Sequence, residues 1–305
     1  MKIALMDSGI GLLAAATAVR RLRPDADLIL SSDPGSMPWG PRTPEDVTAR
    51  ALAVARAAAA LRPDALIVAC NTASVHALDA LRAELEPLVP VIGTVPAIKP
   101  AAAGGGPIAI WATPATTGSP YQRALIREFA ASVDVTEVPC PGLADAVEHA
   151  DEAGIDRAVA AAAALTPPDV TAVVVGCTHY ELVTDRIRAA VSEGRTGLPP
   201  LVLHCSAGAV AAQALRRTGE RPAPAAAGGR VTVLLSGAEG ELPAAALTYM
   251  EGRLLAGVGR SQDEIVPGGP AQETFVTGGL RSSSGSEHEY SAGHEGASPA
   301  RGPLR

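Results

Sequence analysis

Aromatic side chains are scarce in this chain: Phe, Tyr and Trp together make up 3% of its 305 residues. The core must therefore come from Ala, Val, Leu and Ile, within a hydrophobic content of 47%. Much of that content is alanine, which favours helix. Lysine occurs only as Lys2 and Lys99. Pyridoxal phosphate chemistry needs a Schiff-base lysine, yet Lys2 opens a strand and Lys99 falls in the Pro-rich turn VPAIKPA. Basic clusters are lacking and the net charge is −7, which argues against a nucleic-acid partner. No CxxC pair joins any of Cys70, Cys140, Cys177 and Cys205, so zinc and thioredoxin-type readings are weak. Neither Cys70 nor Cys177 opens a Cys-x5-Arg phosphatase loop, since His76 and Val183 stand where the arginine is needed. There is no Walker motif, and the GIG turn lacks the dinucleotide-fingerprint spacing. No apolar run reaches the roughly 18 residues of a membrane span, and MKIALMDSGIG is not a signal peptide. The expectation is a cytoplasmic protein with reduced thiols.

What is present is alternation. Short apolar runs at Ile3–Met6, Leu28–Leu30, Leu66–Ala69, Val91–Ile92, Ile108–Trp111, Val135–Val138, Ala172–Val175 and Leu201–Leu203 read as strands. Helical patterns lie between them, at Leu12–Leu22, Pro44–Leu61, Val75–Leu85, Tyr121–Ala131 and Leu182–Val191. A last strand at Val231–Leu235 and a helix over Leu242–Leu255 follow the linker RPAPAAAGG. This order predicts an α/β fold with mostly parallel sheets. The chain also repeats itself weakly. PDALIVACNT at 63–72 is echoed by PDVTAVVVGCT at 168–178, and KIALMDSG by PIAIWATPAT at 107–116. Two similar halves facing each other would bring corresponding strand ends to one cleft, where α/β sheets bind ligands.

Cys70 and Cys177 occupy such strand ends, each followed by polar residues: Asn71 and Thr72, Thr178 and His179. One buried cysteine is most often a small hydrophobe, but two at corresponding positions point to chemistry. Cys140 precedes Pro141, lacks polar neighbours and reads as core. Asp7 and Ser8 end the first strand before Gly9 and Gly11. Asp7 alone would read as a helix cap.

DSGIG near the N-terminus, PWG at 38–40, ACNTAS at 69–74, VPAIKPA at 95–101, ATPATTGSPYQ at 112–122 and GCTHYEL at 176–182 closely resemble the glutamate racemase family. The likeness runs in order through residues 1–255. It implies two pseudo-symmetric α/β domains with the active site in the cleft between them. One would comprise residues 1–96 plus about 208–257 and the other 97–207, ahead of a disordered Ser/Gly/Glu-rich tail at 258–305. It implies a small amino-acid substrate, no cofactor, no metal, no nucleic acid and no membrane, and leaves a homodimer open. Cys70 and Cys177 would be the catalytic pair, assisted by Asp7 and His179. Asp7, Ser8, Trp39, Gly40, Asn71, Thr72, Thr113, Thr116, Thr178 and His179 would bind substrate. Glu148 is a candidate helper, an exposed helix acid being the equal alternative. The chain departs from the family pattern at Trp39, where tyrosine is usual, at Leu12 for glycine, at Glu181 for proline, and at His204-Cys205-Ser206. PWG and VPAIKPA favour glutamate. Another small acid such as aspartate or hydantoin, a non-catalytic regulator on the same fold, and a redox dithiol are the alternatives.

Overall fold

Pro63-Asp64 and Pro168-Asp169 each lie between the end of a helix and a four-residue strand, Ala65–Val68 and Ala172–Val175, in which every residue is buried. That device organises the fold. The computed structural model describes residues 1–226 and 228–257. The strands are β1 (Lys2–Asp7), β2 (Asp27–Ser32), β3 (Ala65–Val68), β4 (Val91–Gly93), β5 (Ile108–Ala112), β6 (Val135–Pro139), β7 (Ala172–Val175), β8 (Val202–His204), β9 (Val231–Leu235) and β10 (Ala238–Gly240). The α-helices are α1 (Leu12–Leu22), α2 (Pro44–Ala59), α3 (Asn71–His76), α4 (Leu78–Leu85), α5 (Ile98–Ala103), α6 (Pro120–Phe129), α7 (Leu143–Glu148), α8 (Glu152–Ala164), α9 (Thr184–Ser192), α10 (Ala207–Arg217) and α11 (Met250–Leu255).

Two sheets result. The first runs β10-β9-β2-β1-β3-β4, parallel except for the antiparallel β10. The second runs β6-β5-β7-β8, all parallel. The fold is α/β with mostly parallel sheets, as expected. Alternate residues of a strand face opposite ways, and here both faces are covered. Ile3 and Leu5 of β1 join Trp111, Val173 and Val175 in a core shared between the sheets. Ala4 and Met6 pack on α2 residues Val47, Ala51 and Val54. Ala172 and Val174 pack with Ile98 and Ala101 of α5. This is why the strands read as continuous apolar runs rather than alternating ones.

Several expected elements shift. The helix expected over Val75–Leu85 is two helices: α3 starts at Asn71 and the chain pinches at Ala77 (φ −117°, ψ −9°) before α4. Ser74 ties α3 down, its hydroxyl donating to Val68 O and accepting the Thr94 N–H. Lys99 lies not in a turn but in α5, with Pro100 in the first turn, where a missing N–H costs little. Its ammonium sits 5.7 Å from the centre of the Phe129 ring. The helix expected over Leu242–Leu255 shrinks to a 3-10 turn at Ala246–Thr248 and α11. Tyr249 between them is extended, and its buried hydroxyl donates to Val147 O at 2.7 Å. The tail expected at 258–305 lies outside the described residues. Among the described residues no helix is long and apolar enough to cross a membrane.

Candidate active site

Each sheet delivers one cysteine from a strand end. Cys70 follows β3 and precedes α3, and Cys177 follows β7 and precedes a 3-10 turn at Thr178–Val183. Their backbones match, at φ −114°, ψ 122° and φ −140°, ψ 134°. Gly176 precedes Cys177 because a Cβ there would lie 2.8 Å from Trp111 O. Both thiols are free and line one cavity of about 280 Å³.

The same cavity collects every residue expected to bind substrate, while the candidate helper Glu148 stands behind its lining. Asp7 and Ser8 arrive from β1, and Trp39 and Gly40 from the segment before α2. Asn71 and Thr72 open α3, Thr113 and Thr116 follow β5, and Thr178 and His179 follow Cys177. The Thr113 and Thr116 hydroxyls are 3.2 Å apart. Asn71 donates from Nδ2 to Gly176 O at 2.9 Å, while its buried Oδ1 has no partner among the described residues.

Asp7 is not a helix cap. Gly11 precedes α1 with no side-chain cap bond, and the Asp7 carboxylate turns inward instead. Oδ1 accepts the Ser8 N–H and hydroxyl, and Oδ2 accepts the Thr178 hydroxyl at 3.0 Å. Burial pushes its pKa up, although nearby His179 and these hydrogen bonds pull the other way. Glu148 is not an exposed acid either. Its Oε2 lies 2.9 Å from His179 Nε2 and accepts the Ile10 N–H at 2.8 Å. Burial opposes its ionisation, but the hydrogen bond and charge of His179 outweigh that and lower its pKa. For His179 burial disfavours the imidazolium. Hydrogen bonds with Cys177 and Glu148 and the charge of Asp7 prevail, so its pKa stands well above the ordinary 6.5. The Cys70 thiol is pushed well up, first by burial and then by the Asp7 charge.

This crowding explains the glycines after Asp7. A Cβ on Gly11 would sit 2.5 Å from Asp7 Oδ2 and 2.6 Å from both His179 Nδ1 and Thr178 Oγ1. One on Gly9 would overlap the Glu148 carboxylate. Leu12, where the resemblance leads one to expect glycine, begins α1 and packs into the shared core. Trp39 is fully buried, and its indole N–H donates to Ser36 Oγ at 3.0 Å.

Cys140, read as plain core, also lines the cavity, and burial and the neighbouring Cys177 push its thiol up to about 12. It follows β6 directly and packs in the shared core as expected, and with Pro141 rather than polar residues after it nothing in the local sequence signals that it also borders the cavity. Among the described residues no group of three His, Cys, Asp or Glu side chains is placed to hold a metal ion.

A family model described as Asp/Glu/Hydantoin racemase matches residues 12–228. A glutamate racemase of Roseiflexus sp. (strain RS-1) is 37% identical over 199 residues, covering 63% of this chain and 72% of that protein. One from Pseudomonas putida (strain W619) is 33% identical over 220 residues, covering 70% and 80%. Among solved structures, Escherichia coli glutamate racemase in complex with L-glutamate and the activator UDP-MurNAc-ala matches with a TM-score of 0.63 at 28% identity. It covers 76% of this chain and 88% of that one.

Proposed function

The chain belongs to the Asp/Glu/Hydantoin racemase family, and we propose that it interconverts L- and D-glutamate without a cofactor, supplying D-glutamate for peptidoglycan. The observation that carries this reading is the pair of free thiols, Cys70 and Cys177, at matching strand ends of two sheets in one cavity. Racemisation removes the α-proton from one face of the α-carbon and returns a proton to the other. One base cannot serve both faces of a planar intermediate, whereas two can, exchanging roles with the enantiomer. The halves 1–96 plus about 208–257 and 97–207 would hold the substrate between them.

The surrounding groups suit that task. Cys70, with its proton retained by burial and by Asp7, is a donor awaiting a carbanion. On the other side a proton on His179, hydrogen-bonded to Cys177, sits beside the sulfur that takes up and gives back the α-proton. Thr72 offers its hydroxyl to the α-carboxylate, where charge builds as the proton leaves, while the Ser8 and Thr178 hydroxyls are held by Asp7. The unpaired Asn71 Oδ1 is an acceptor for the α-ammonium. Thr113 and Thr116 supply further donors for a substrate carboxylate.

The test is incubation with L-glutamate in deuterated water. D-glutamate should form with deuterium at the α-carbon. Absence of both D-glutamate and α-deuterium, with the protein folded, would overturn the reading.

A further inference from the structure

Glu181 is a buried carboxylate that the two-thiol chemistry does not use. It stands two residues after His179, at the end of the wall that carries Cys177, and is 7% exposed. Its Oε1 accepts the Ser206 N–H at 2.8 Å and the Ser206 hydroxyl at 2.6 Å. Its Oε2 accepts the Ala207 N–H at 3.2 Å. These are the first N–H groups of α10, whose own N-cap residue, Ser206, makes no side-chain cap bond. The cap is thus supplied from 25 residues away, and the helix dipole favours a negative charge there.

The place of α10 makes this connection matter. α10 packs along α1, which follows the Asp7 strand end, and against β3, which leads to Cys70, and its neighbour β4. The turn holding Glu181 follows β7 of the other sheet. We propose that Glu181 is a positioning residue: by clamping the Thr178–Val183 turn to the N-terminus of α10, it holds His179 and Cys177 in register with the wall that carries Cys70. A shorter side chain at 181 would leave two α10 N–H groups and the Ser206 hydroxyl without their acceptor, and a neutral amide would lose one of the two acceptor oxygens, so that the turn would be freer to settle elsewhere. The displacement falls on the Cys177 side, so the two proton transfers are affected unequally.

This inference rests on the two-thiol reading, and the test separates the two. Racemisation cannot reveal an unequal effect, because an equilibrium constant of one ties kcat/KM for the two enantiomers together. Elimination can. With L- and D-3-chloroglutamate, removal of the α-proton by one thiol expels chloride and leaves an enamine, which water converts to 2-oxoglutarate and ammonia. Cys177→Ser identifies the enantiomer that Cys177 serves. Glu181→Ala should lower elimination from that same enantiomer by about 10-fold or more, the scale of a small misplacement, and leave the other within about two-fold. Glu181→Gln retains an acceptor for Ser206 but none for Ala207. It should shift the same enantiomer by a smaller factor, and it decides the matter if Glu181→Ala does not fold. Equal losses on both enantiomers, or no loss in a folded Glu181→Gln, would overturn the positioning role while wild-type racemisation still stands. A wild type inert towards glutamate and both chloroglutamates would overturn the two-thiol reading itself.

Discussion

A proton on His179 favours the folded chain over the unfolded one, because Glu148 and Cys177 wait for it inside the site. The sign follows from the shifts. The folded pKa of His179 is raised above its ordinary 6.5, so its contribution is complete below that value and fades as pH climbs through the raised one. The folded pKa of Glu148 is lowered from 4.5, so its contribution is complete above that value and is lost only as pH falls through the depressed one. Both are in full force between pH 4.5 and 6.5. The stability gap between wild type and His179→Gln, measured by urea unfolding, should therefore be widest in that window and narrow towards alkaline pH. A gap that widens with rising pH would mean that the folded state holds a neutral imidazole.

Among the elements, the segment between β2 and α2 shows how a departure from the family pattern is absorbed. Met37, Pro38, Trp39 and Gly40 form one wall of the cavity. Trp39 fixes that wall through Ser36, whose hydroxyl donates to Asp33, while Asp33 also accepts from Ser236 at 2.7 Å. Arg42 closes the loop by donating to Ser36 O. Trp39→Phe keeps a six-membered ring but removes the N–H and the rest of the buried indole, and should cost about 1 kcal/mol for the bond plus about 1 kcal/mol or more for the cavity left behind. The wall would loosen without touching either thiol. KM for glutamate should therefore rise more than kcat falls, and a kcat collapse at unchanged KM would place Trp39 in the proton-transfer step instead. A sequence reading registers only the lost phenol of the usual tyrosine. It does not register the indole bond, since Ser36 contributes no motif.

For the molecule as a whole, the site is also part of what joins the sheets. Thr178 to Asp7, Asn71 to Gly176 and Ile10 to Glu148 cross from one sheet's loops to the other's. A ligand that bridges the same loops stabilises the native state by mass action, about 2.7 kcal/mol at a hundred times its Kd. Melting followed by calorimetry should show both L- and D-glutamate raising Tm, with Cys70→Ser responding as wild type does, because binding does not need the proton transfer. An unchanged Tm at millimolar glutamate would show that the substrate does not use this cavity.

The strands were legible in the chain because burial on both faces forces continuous aliphatic runs, and β7 fell where Ala172–Val175 was expected. α1 was legible because its apolar period is helical throughout Leu12–Leu22. The cysteine motifs stood out because a strand end followed by Asn-Thr or Thr-His is local information. Tertiary structure alone decided the partners. Glu148 lies 31 residues from His179, Glu181 lies 25 from Ser206 and Asp7 lies 171 from Thr178. No periodicity links such positions. Whether an acid at the end of a short helix faces water or a histidine depends on how two sheets meet, and a carboxylate becomes a charged partner, a cap or a buried acid only once that meeting removes the water around it.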